Sequence, residues 1–374
     1  MQRAHTRRIR LGAARGIVTI CLATFGLGLA FVGASAQAGT SHVDGISDQS
    51  LPGWDSGFSG SYFAALFRGA WVGSPPAHIT LARYVVQWNV MSGSYPRYRS
   101  EFESWLTDVG SMGLISEVAL TSYDGTYPSS AAEYRARLEQ VLGQAKAMGR
   151  PIRYLEAWNE PNNQGREPAV DAAHFTNSAD ATCKQGYGCT VIAGSFEDSP
   201  SVAAYEEEYS ENLDFVPVIW GVHPYYSVEE ESEAPFLSLR EHLPNKGAGA
   251  RIWFTEVAAR ACTDFNGHLV ENGELGQAEH ANWLVNTLMH NAKPEHVFYY
   301  EFLLKEHRQP SCRSEGADGA LYLPSADGNA TDRPRPAASY IWDGESVPSE
   351  YIDGAFAADA EQVALTGNVY PGLD

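Results

Sequence analysis

Eight apolar segments recur along the chain with helical patterns between most of them, and this alternation constrains the fold more than any other feature. Strands that alternate with helices predict parallel strands joined by crossover helices. Eight such units in about 300 residues predict an α/β protein, a (β/α)₈ TIM barrel in a single domain. A doubly wound open sheet is the rival, but no Gly-x-Gly-x-x-Gly turn follows the first strand. The candidate strands are residues 42–48, 81–88, 114–121, 152–158, 190–196, 218–223, 251–255 and 296–302.

The clearest helical pattern covers residues 130–148. Ser130 and Glu133 have the spacing of a capping box at its start, and Gly149 ends it. A second helix is predicted over residues 277–290, whereas residues 49–80 show no clean helix. At helical spacing, one face of the first helix carries the apolar residues Tyr134, Leu138, Val141, Leu142 and Ala145.

The N-terminus has the pattern of a secretory signal peptide. Five arginines and no acidic residue precede an almost wholly apolar run over residues 17–32, and small-x-small cleavage sites follow. We therefore predict a signal peptide over residues 1–38 and an exported protein. An uncleaved membrane anchor is the alternative. The barrel domain is then predicted over residues 39–343, and residues 344–374 form either an acidic tail or a short segment that wraps over the barrel.

The charge balance is strongly acidic. The formal net charge is −20, and removal of the five N-terminal arginines makes it −25. Such a chain repels nucleic acid and anionic membrane surfaces, so neither is an expected partner, and neutral ligands fit better. The simpler interpretation is that the charge keeps an exported protein soluble.

Four cysteines follow the predicted leader, and an even number in an exported chain favours two disulfides. Three pairings are open. Cys183 with Cys189 would close a short loop, which leaves Cys262 with Cys312. A zinc site is a poor alternative because paired Cys-x-x-Cys ligands are absent from the sequence.

Two carboxylic acids stand where predicted strands end. Asn159 and Glu160 follow the fourth strand and Pro161 stops it, while Glu256 ends the seventh strand in "RIWFTEVAA". Active sites of (β/α)₈ barrels lie at the carboxyl ends of the strands, so we expect both acids at one mouth. Paired acids can divide their work, one as a proton donor and one as an ionised nucleophile.

These strand-end residues resemble those of clan A glycoside hydrolases, which are retaining sugar-cleaving (β/α)₈ barrels. The resemblance covers nearly the whole mature chain as architecture and is specific at the strand ends. It implies that Glu160 is the acid/base and that Glu256 is the nucleophile. It also implies that Asn159 hydrogen-bonds the sugar 2-hydroxyl.

Further positions match the same pattern. In "WGVHPYY", His223 and Tyr225 take the places that line the central subsite, with Tyr225 placed to hydrogen-bond the nucleophile. Arg83 resembles the arginine that many members carry beneath the nucleophile. The eighth strand departs from the pattern because it lacks the usual tryptophan. Trp88 at a strand end either stacks on a sugar or packs in the core. The residues that remain to form the floor of the sugar site are Tyr299, Tyr300 and Phe302.

The sequence therefore predicts an exported retaining glycoside hydrolase with a poly- or oligosaccharide substrate and no cofactor or metal. The alternative is a non-catalytic carbohydrate-binding barrel, which would keep the aromatic residues but need neither acid. A metallohydrolase would need His-x-His on an early strand with further His and Asp ligands, and the sequence has no such set. The sugar, the linkage and the oligomeric state are not predicted.

Overall fold

Eight parallel strands close into a barrel in which each strand pairs with its neighbours along the sequence, and the last pairs with the first. This confirms the predicted fold class. The computed structural model describes residues 42–47, 79–163, 167–265, 268–300, 317–319, 321–323 and 333–343. The barrel strands are β1 (Gly45–Ser47), β2 (Leu81–Gln87), β3 (Ile115–Thr121), β4 (Tyr154–Glu156), β5 (Thr190–Glu197), β6 (Ile219–His223), β7 (Arg251–Val257) and β8 (His296–Tyr299).

Helices connect the strands and cover the outside of the barrel. Among the residues that the structure describes, the α-helices are Pro96–Met112, Ala131–Ala147, Ala169–Thr182, Val202–Glu211, Tyr225–Glu229, Ala234–His242, Gly273–Trp283, Met289–Ala292 and Ala337–Asp343. Two π-helical turns, Cys183–Tyr187 and Leu284–Leu288, and one 3₁₀ turn, Pro244–Gly247, extend this set. Small antiparallel sheets lie outside the barrel and were not predicted; their strands are Cys262–Phe265, His268–Glu271, Ala317–Asp318, Tyr322–Leu323 and Arg333–Pro334.

Three barrel strands are shorter than their apolar segments predicted. β1, β4 and β8 span three to four residues each, although the sequence pattern extends further. Apolar residues mark what is buried, whereas a strand ends where its ladder of hydrogen bonds ends. The residues beyond β4 leave the ladder, and Glu160 has a positive φ of 45°.

The helix Ala131–Ala147 matches its prediction closely. The Ser130 side chain accepts a hydrogen bond from the Glu133 N–H at 3.2 Å, as in a capping box. The carboxylate of Glu133 accepts from the backbone N–H of Ser129 rather than from that of Ser130. The five apolar residues that were predicted to face inward are all buried. The second predicted helix also forms, but it begins earlier, at Gly273.

The interior of the barrel is layered. An apolar cluster fills the end where the strands begin; it consists of Leu81, Ile192, Ile219, Trp253 and Phe298. Farther along the strands, the buried inward positions are charged, and they include Arg83, Glu117 and Glu156. A larger apolar core surrounds the barrel beneath the helices. The lower end is therefore closed, and the polar groups face the opposite mouth.

One predicted disulfide is present, and for the other only one of its two cysteines lies among the described residues. Cys183 and Cys189 are bonded, which ties the end of a helix to the start of β5. Cys262 is disulfide-bonded as well. Its predicted partner, Cys312, lies outside the described residues, so that pairing stays a prediction.

The described residues do not test the predictions for the two ends of the chain. The signal peptide over residues 1–38 and the tail over residues 344–374 both lie outside them, as does most of the first connecting segment. Within the described part of the chain, none of the helices combines the length and the apolar character that a bilayer span requires.

Candidate active site

A buried arginine organises the charged layer of the barrel. Arg83 lies on β2 and is fully buried, so its charge needs partners. Strand register supplies them, because Arg83 pairs laterally with Ser47 on β1 and with Glu117 on β3. The guanidinium consequently lies at the centre of groups from several strands.

The guanidinium of Arg83 donates to four side chains. Its Nη1 donates to Glu256 Oε2 at 2.5 Å and to Ser47 Oγ at 3.0 Å. Its Nη2 donates to Glu156 Oε2 at 2.6 Å and to Asn159 Oδ1 at 2.5 Å. This single residue therefore links the ends of β4 and β7, where the two predicted catalytic acids stand.

Two further carboxyl groups in this layer differ in protonation. Burial and the charge of Glu156 raise the pKa of Glu117 well above its ordinary value. Burial also acts to raise the pKa of Glu156, but Arg83, His223 and a hydrogen bond with Thr255 together outweigh it, and the net shift is downward. Burial therefore favours the protonated form of Glu117, whereas Glu156 is favoured as the ionised partner of Arg83.

A glycine makes room for this layer. Gly221 lies on β6, and a Cβ there would come within 2.9 Å of Thr255 Oγ1 and 3.2 Å of Glu156 Oε1. These distances are shorter than ordinary van der Waals contact. The absence of a side chain at this position therefore allows the Glu156 carboxylate to lie inside the barrel.

Glu256 is held at the mouth by a cation and a hydroxyl group. In addition to its bond from Arg83, its Oε1 accepts a hydrogen bond from the Tyr225 hydroxyl at 2.6 Å. This is the contact that the sequence resemblance implied for Tyr225. The Arg260 guanidinium stacks on the ring of Tyr225, 3.8 Å from the ring centre. Both carboxylate oxygens of Glu256 therefore have fixed donors, which stabilise negative charge there.

Glu160 reaches the same mouth through an unusual backbone conformation. Its φ of 45° lies in the left-handed region, and its N–H donates to the carbonyl of Ser195 at 3.2 Å. Ser195 also has a positive φ and lies in an irregularity of β5 between Gly194 and Phe196. Non-glycine residues in this region are uncommon and persist where the surroundings impose them. The strand irregularity and Glu160 are thus parts of one arrangement.

The side chains of the two predicted catalytic acids approach closely. Glu160 Oε1 lies 3.1 Å from His223 Nδ1, and Asn163 donates to Glu160 Oε2 at 3.4 Å. One oxygen of Glu160, one oxygen of Glu256 and a ring nitrogen of His223 all lie within 4.8 Å of one another. A metal ion bound by these three atoms would also lie beside the Arg83 cation, which would repel it.

The predicted site residues do not all join this cluster. The structure brings together Arg83, Asn159, Glu160, His223, Tyr225 and Glu256. Trp88 is only 3% exposed, and its indole N–H donates to the Thr126 carbonyl. Its ring belongs to the apolar core, so a stacking role for Trp88 stays a prediction that its burial does not support. Tyr300, at the end of β8, is half-buried, whereas Tyr299 is buried and donates to the Ala259 carbonyl.

Sequence reasoning missed several charged residues around the site. Glu117 and Glu156 interrupt apolar strand segments, and an acid inside a buried strand signals a need for a partner. Glu197, at the end of β5, carries the same strand-end signal as Glu256. Arg260 follows β7 and offers no such pattern, because only the fold brings it to Tyr225.

No protein-family model matches the sequence. A search of the curated proteins finds no match either. Solved structures do match. The GH5_18 structure from Streptomyces cattleya, in complex with GlcNAc, is 14% identical with a TM-score of 0.57, and the match covers 89% of this chain and 83% of that one.

Two other solved structures give similar values. The endo-beta1,6-glucanase BT3312 is 13% identical with a TM-score of 0.54, covering 82% of this chain and 76% of that chain. A GH30 endoxylanase from Clostridium papyrosolvens C71 is 14% identical with a TM-score of 0.50, covering 82% and 72%. At these identities the likeness is one of fold. The chain has the (β/α)₈ barrel fold that clan A glycoside hydrolases share.

Proposed function

We propose that this protein is an exported retaining glycoside hydrolase that cleaves O-glycosidic bonds of a poly- or oligosaccharide. Glu256 is the nucleophile and Glu160 is the acid/base. Arg83, Tyr225, His223 and Asn159 hold these two carboxyl groups and line the sugar site. The rival function, a non-catalytic carbohydrate-binding barrel, gives no reason for two such acids at one mouth.

One observation carries this proposal, namely the short distance between the two acids. Carboxylate oxygens of Glu160 and Glu256 lie within 4.8 Å of each other. Retaining glycosidases keep their carboxyl groups about 5–5.5 Å apart, because the nucleophile attacks the sugar directly. Inverting enzymes need about 6.5–9.5 Å to admit a water molecule between the acid and the ring. The arrangement favours retention.

The different partners of the two acids support their different roles. Glu256 accepts from the Arg83 guanidinium at 2.5 Å and from the Tyr225 hydroxyl at 2.6 Å, which favours an ionised nucleophile. Glu160 instead lies beside the ring of His223, whose Nδ1 is 3.1 Å from Glu160 Oε1, whereas the Arg83 guanidinium donates to Glu256. A carboxyl group in that setting suits proton exchange with a leaving oxygen.

The reaction proceeds in two displacements. In the first, the Glu256 carboxylate attacks the anomeric carbon and forms an ester, while Glu160 gives its proton to the departing glycosidic oxygen. In the second, the Glu160 carboxylate takes a proton from water, and the water oxygen attacks the anomeric carbon and releases Glu256. Both residues return to their starting protonation states, and the product keeps the configuration of the substrate.

Export is supported by the predicted signal peptide and by the Cys183–Cys189 disulfide, since disulfides persist in oxidising compartments. A carbohydrate ligand also fits the acidic net charge of −20, which disfavours polyanionic partners. Aromatic residues near the mouth, such as Tyr300, offer surfaces on which sugar rings can stack.

Product stereochemistry tests this proposal. After a screen of plant, fungal and bacterial glycans identifies a substrate, proton NMR of the first-formed product should show net retention at the anomeric carbon. An inverted product would refute the assignment even if both acids proved essential. Binding of a glycan without any turnover would instead favour the carbohydrate-binding barrel.

Variants separate the two roles. Glu256→Ala should abolish turnover on every substrate because no nucleophile remains. Glu160→Ala should lose about 10²–10⁴-fold on substrates with poor leaving groups. On an aryl glycoside with a good leaving group it should still form the glycosyl ester, and azide should release it as a glycosyl azide of retained configuration. Glu139→Ala, at a partly exposed position on the helix Ala131–Ala147, is the control and should behave as the native enzyme.

A further inference from the structure

A third carboxyl group stands at the mouth of the barrel and has no part in the mechanism above. Glu197 is the last residue of β5, and its Cα pairs with that of His223, the last residue of β6. Paired residues of neighbouring strands direct their side chains to the same face of a sheet. His223 faces the inside of the barrel, where it meets Glu160, so Glu197 faces inward as well.

The residue before Glu197 fixes this orientation independently. Phe196 packs edge-on against Tyr205 and Tyr209, which belong to the helix Val202–Glu211 outside the barrel. Successive side chains on a strand point to opposite faces. With Phe196 outside, Glu197 must face the mouth, where it is half-buried.

The backbone also ties Glu197 to the segment that carries Glu160. Asn162 donates from Nδ2 to the Glu197 carbonyl at 2.8 Å and accepts at Oδ1 from the Glu197 N–H at 3.1 Å. On the other side, the Glu160 N–H donates to the Ser195 carbonyl at 3.2 Å. Two residues of the β4 loop are thus bonded to two residues of β5. These bonds hold the two backbone segments that carry the acids next to each other.

The electrostatic surroundings of Glu197 are dominated by Glu160. Burial first, and then the negative charge of Glu160, raises the pKa of Glu197 to about 7, while the charge of Arg260 opposes the shift. Arg260 is shared with Tyr225, on which it stacks, and with Glu229, 3.9 Å away. The titratable or charged groups that face Glu197 are Glu160, Asp198, His223, Tyr226 and Arg260.

The carboxylate of the neighbouring acid, Asp198, is occupied by hydrogen bonds from other residues. Its carboxylate accepts hydrogen bonds from the N–H and the hydroxyl of Ser227, at 3.0 and 2.6 Å, and from the Tyr226 N–H at 2.8 Å. These bonds fix the start of the helix Tyr225–Glu229. Asp198 therefore has a structural role, whereas Glu160 is the charged group with the strongest influence on the Glu197 carboxyl group.

We propose that Glu197 and Glu160 form a coupled carboxyl pair that shares one proton, with Glu197 acting as a positioning residue for the acid/base. This inference rests on the proposed function of Glu160. Two neighbouring carboxylates resist ionising together, so the second proton leaves the pair only at higher pH. Glu197 thereby keeps Glu160 protonated over a wider pH range, ready for the first displacement. Glu197 itself makes no bond to the reacting atoms.

The pH profile of the enzyme tests the pair. Glu197→Gln keeps the shape of the side chain but removes its charge, so Glu160 would lose its proton at lower pH. The basic limb of kcat/KM should move down by about one pH unit, which corresponds to an approximately tenfold loss on that limb. The acidic limb should stay in place. An unmoved basic limb overturns the proposal.

A matched control distinguishes this effect from the loss of any buried acid. Burial alone raises the pKa of Glu206 to about 9, and Glu206 lies on the helix Val202–Glu211 outside the barrel. Glu206→Gln is the same substitution at a buried carboxyl group, and it should leave the pH profile unchanged. A shift of equal size in both variants would contradict a specific pair.

A second measurement does not need catalysis. Titration of the side-chain carboxyl carbons by ¹³C NMR should show Glu160 titrating in two steps in the native protein and in one step, at lower pH, in Glu197→Gln. If Glu197→Gln does not fold, Glu160→Gln provides the reciprocal test, in which Glu197 should titrate at lower pH than in the native protein. Independent single-step titration of both residues in the native protein would refute the pair. A coupled titration in a protein that hydrolyses no glycoside would keep the pair and refute the proposed function.

Discussion

Removal of the buried arginine should produce a loss of stability that depends on pH. Arg83 is completely buried and donates hydrogen bonds to Glu156, Glu256, Ser47 and Asn159. Arg83→Met keeps the length of the side chain but removes the guanidinium charge that pairs with Glu156 and Glu256. Breaking a buried ion pair by deleting one partner costs about 3–5 kcal/mol, because the remaining charge is left uncompensated.

The sign of the pH dependence follows from Glu156. In the native protein its pKa is lowered, so it stabilises the fold above its ordinary pKa of about 4.3, and this contribution is lost as pH falls through the folded pKa. Without Arg83, burial raises the pKa of Glu156, and folding then requires it to bind a proton. The variant should therefore lose stability as pH rises above about 4.3. The difference in the free energy of unfolding between native and variant should therefore be larger at pH 8 than near pH 4.5, because the variant's penalty grows as pH rises.

Urea denaturation at these two pH values measures the effect. The control is Arg99→Met on the helix Pro96–Met112, where Arg99 pairs with Glu103 and both side chains are partly exposed. Because solvent screens that pair, its loss should cost no more than about 1 kcal/mol. Addition of Glu156→Gln to Arg83→Met should recover part of the stability. Equal losses for Arg83→Met at both pH values would refute this reasoning.

Three further predictions concern other parts of the barrel. Replacement of Cys183 and Cys189 by serine should lower the free energy of unfolding by about 2 kcal/mol, because the bridge closes a short loop in the unfolded chain; denaturation with matched reduced samples checks this. Gly221→Ala should cost about 1–3 kcal/mol, since the new methyl group meets Thr255, and thermal melting measures it. Tyr225→Phe removes a hydrogen bond to a charged group and should lower kcat/KM by roughly 10–100-fold without unfolding the protein, which circular dichroism verifies.

The sequence alone determined the architecture and the two acids. The spacing of apolar residues and the residues that begin a helix are local features of the sequence. The N-cap Ser130 and the inward face of its helix can therefore be identified from the sequence itself. Eight alternating units allow few closed arrangements, and a strand-end acid such as Glu160 or Glu256 is then placed at the mouth by topology. For that reason the fold and the pairing of these two carboxyl groups were both predictable.

Only the tertiary structure decided the contacts that hold those acids. Arg83 binds groups from β1, β4 and β7, and which strand positions face one another depends on register, which no single segment encodes. The positive φ of Glu160 likewise depends on an irregularity in β5, and the buried position of Trp88 decided between the stacking and core-packing roles that the sequence left open. The segment that carries Glu160 is bonded to the end of β5, which carries Glu197, for the same reason. Proximity between distant segments is set by the closure of the barrel, because burial and hydrogen-bond pairing are satisfied for all eight strands together and not for any one of them.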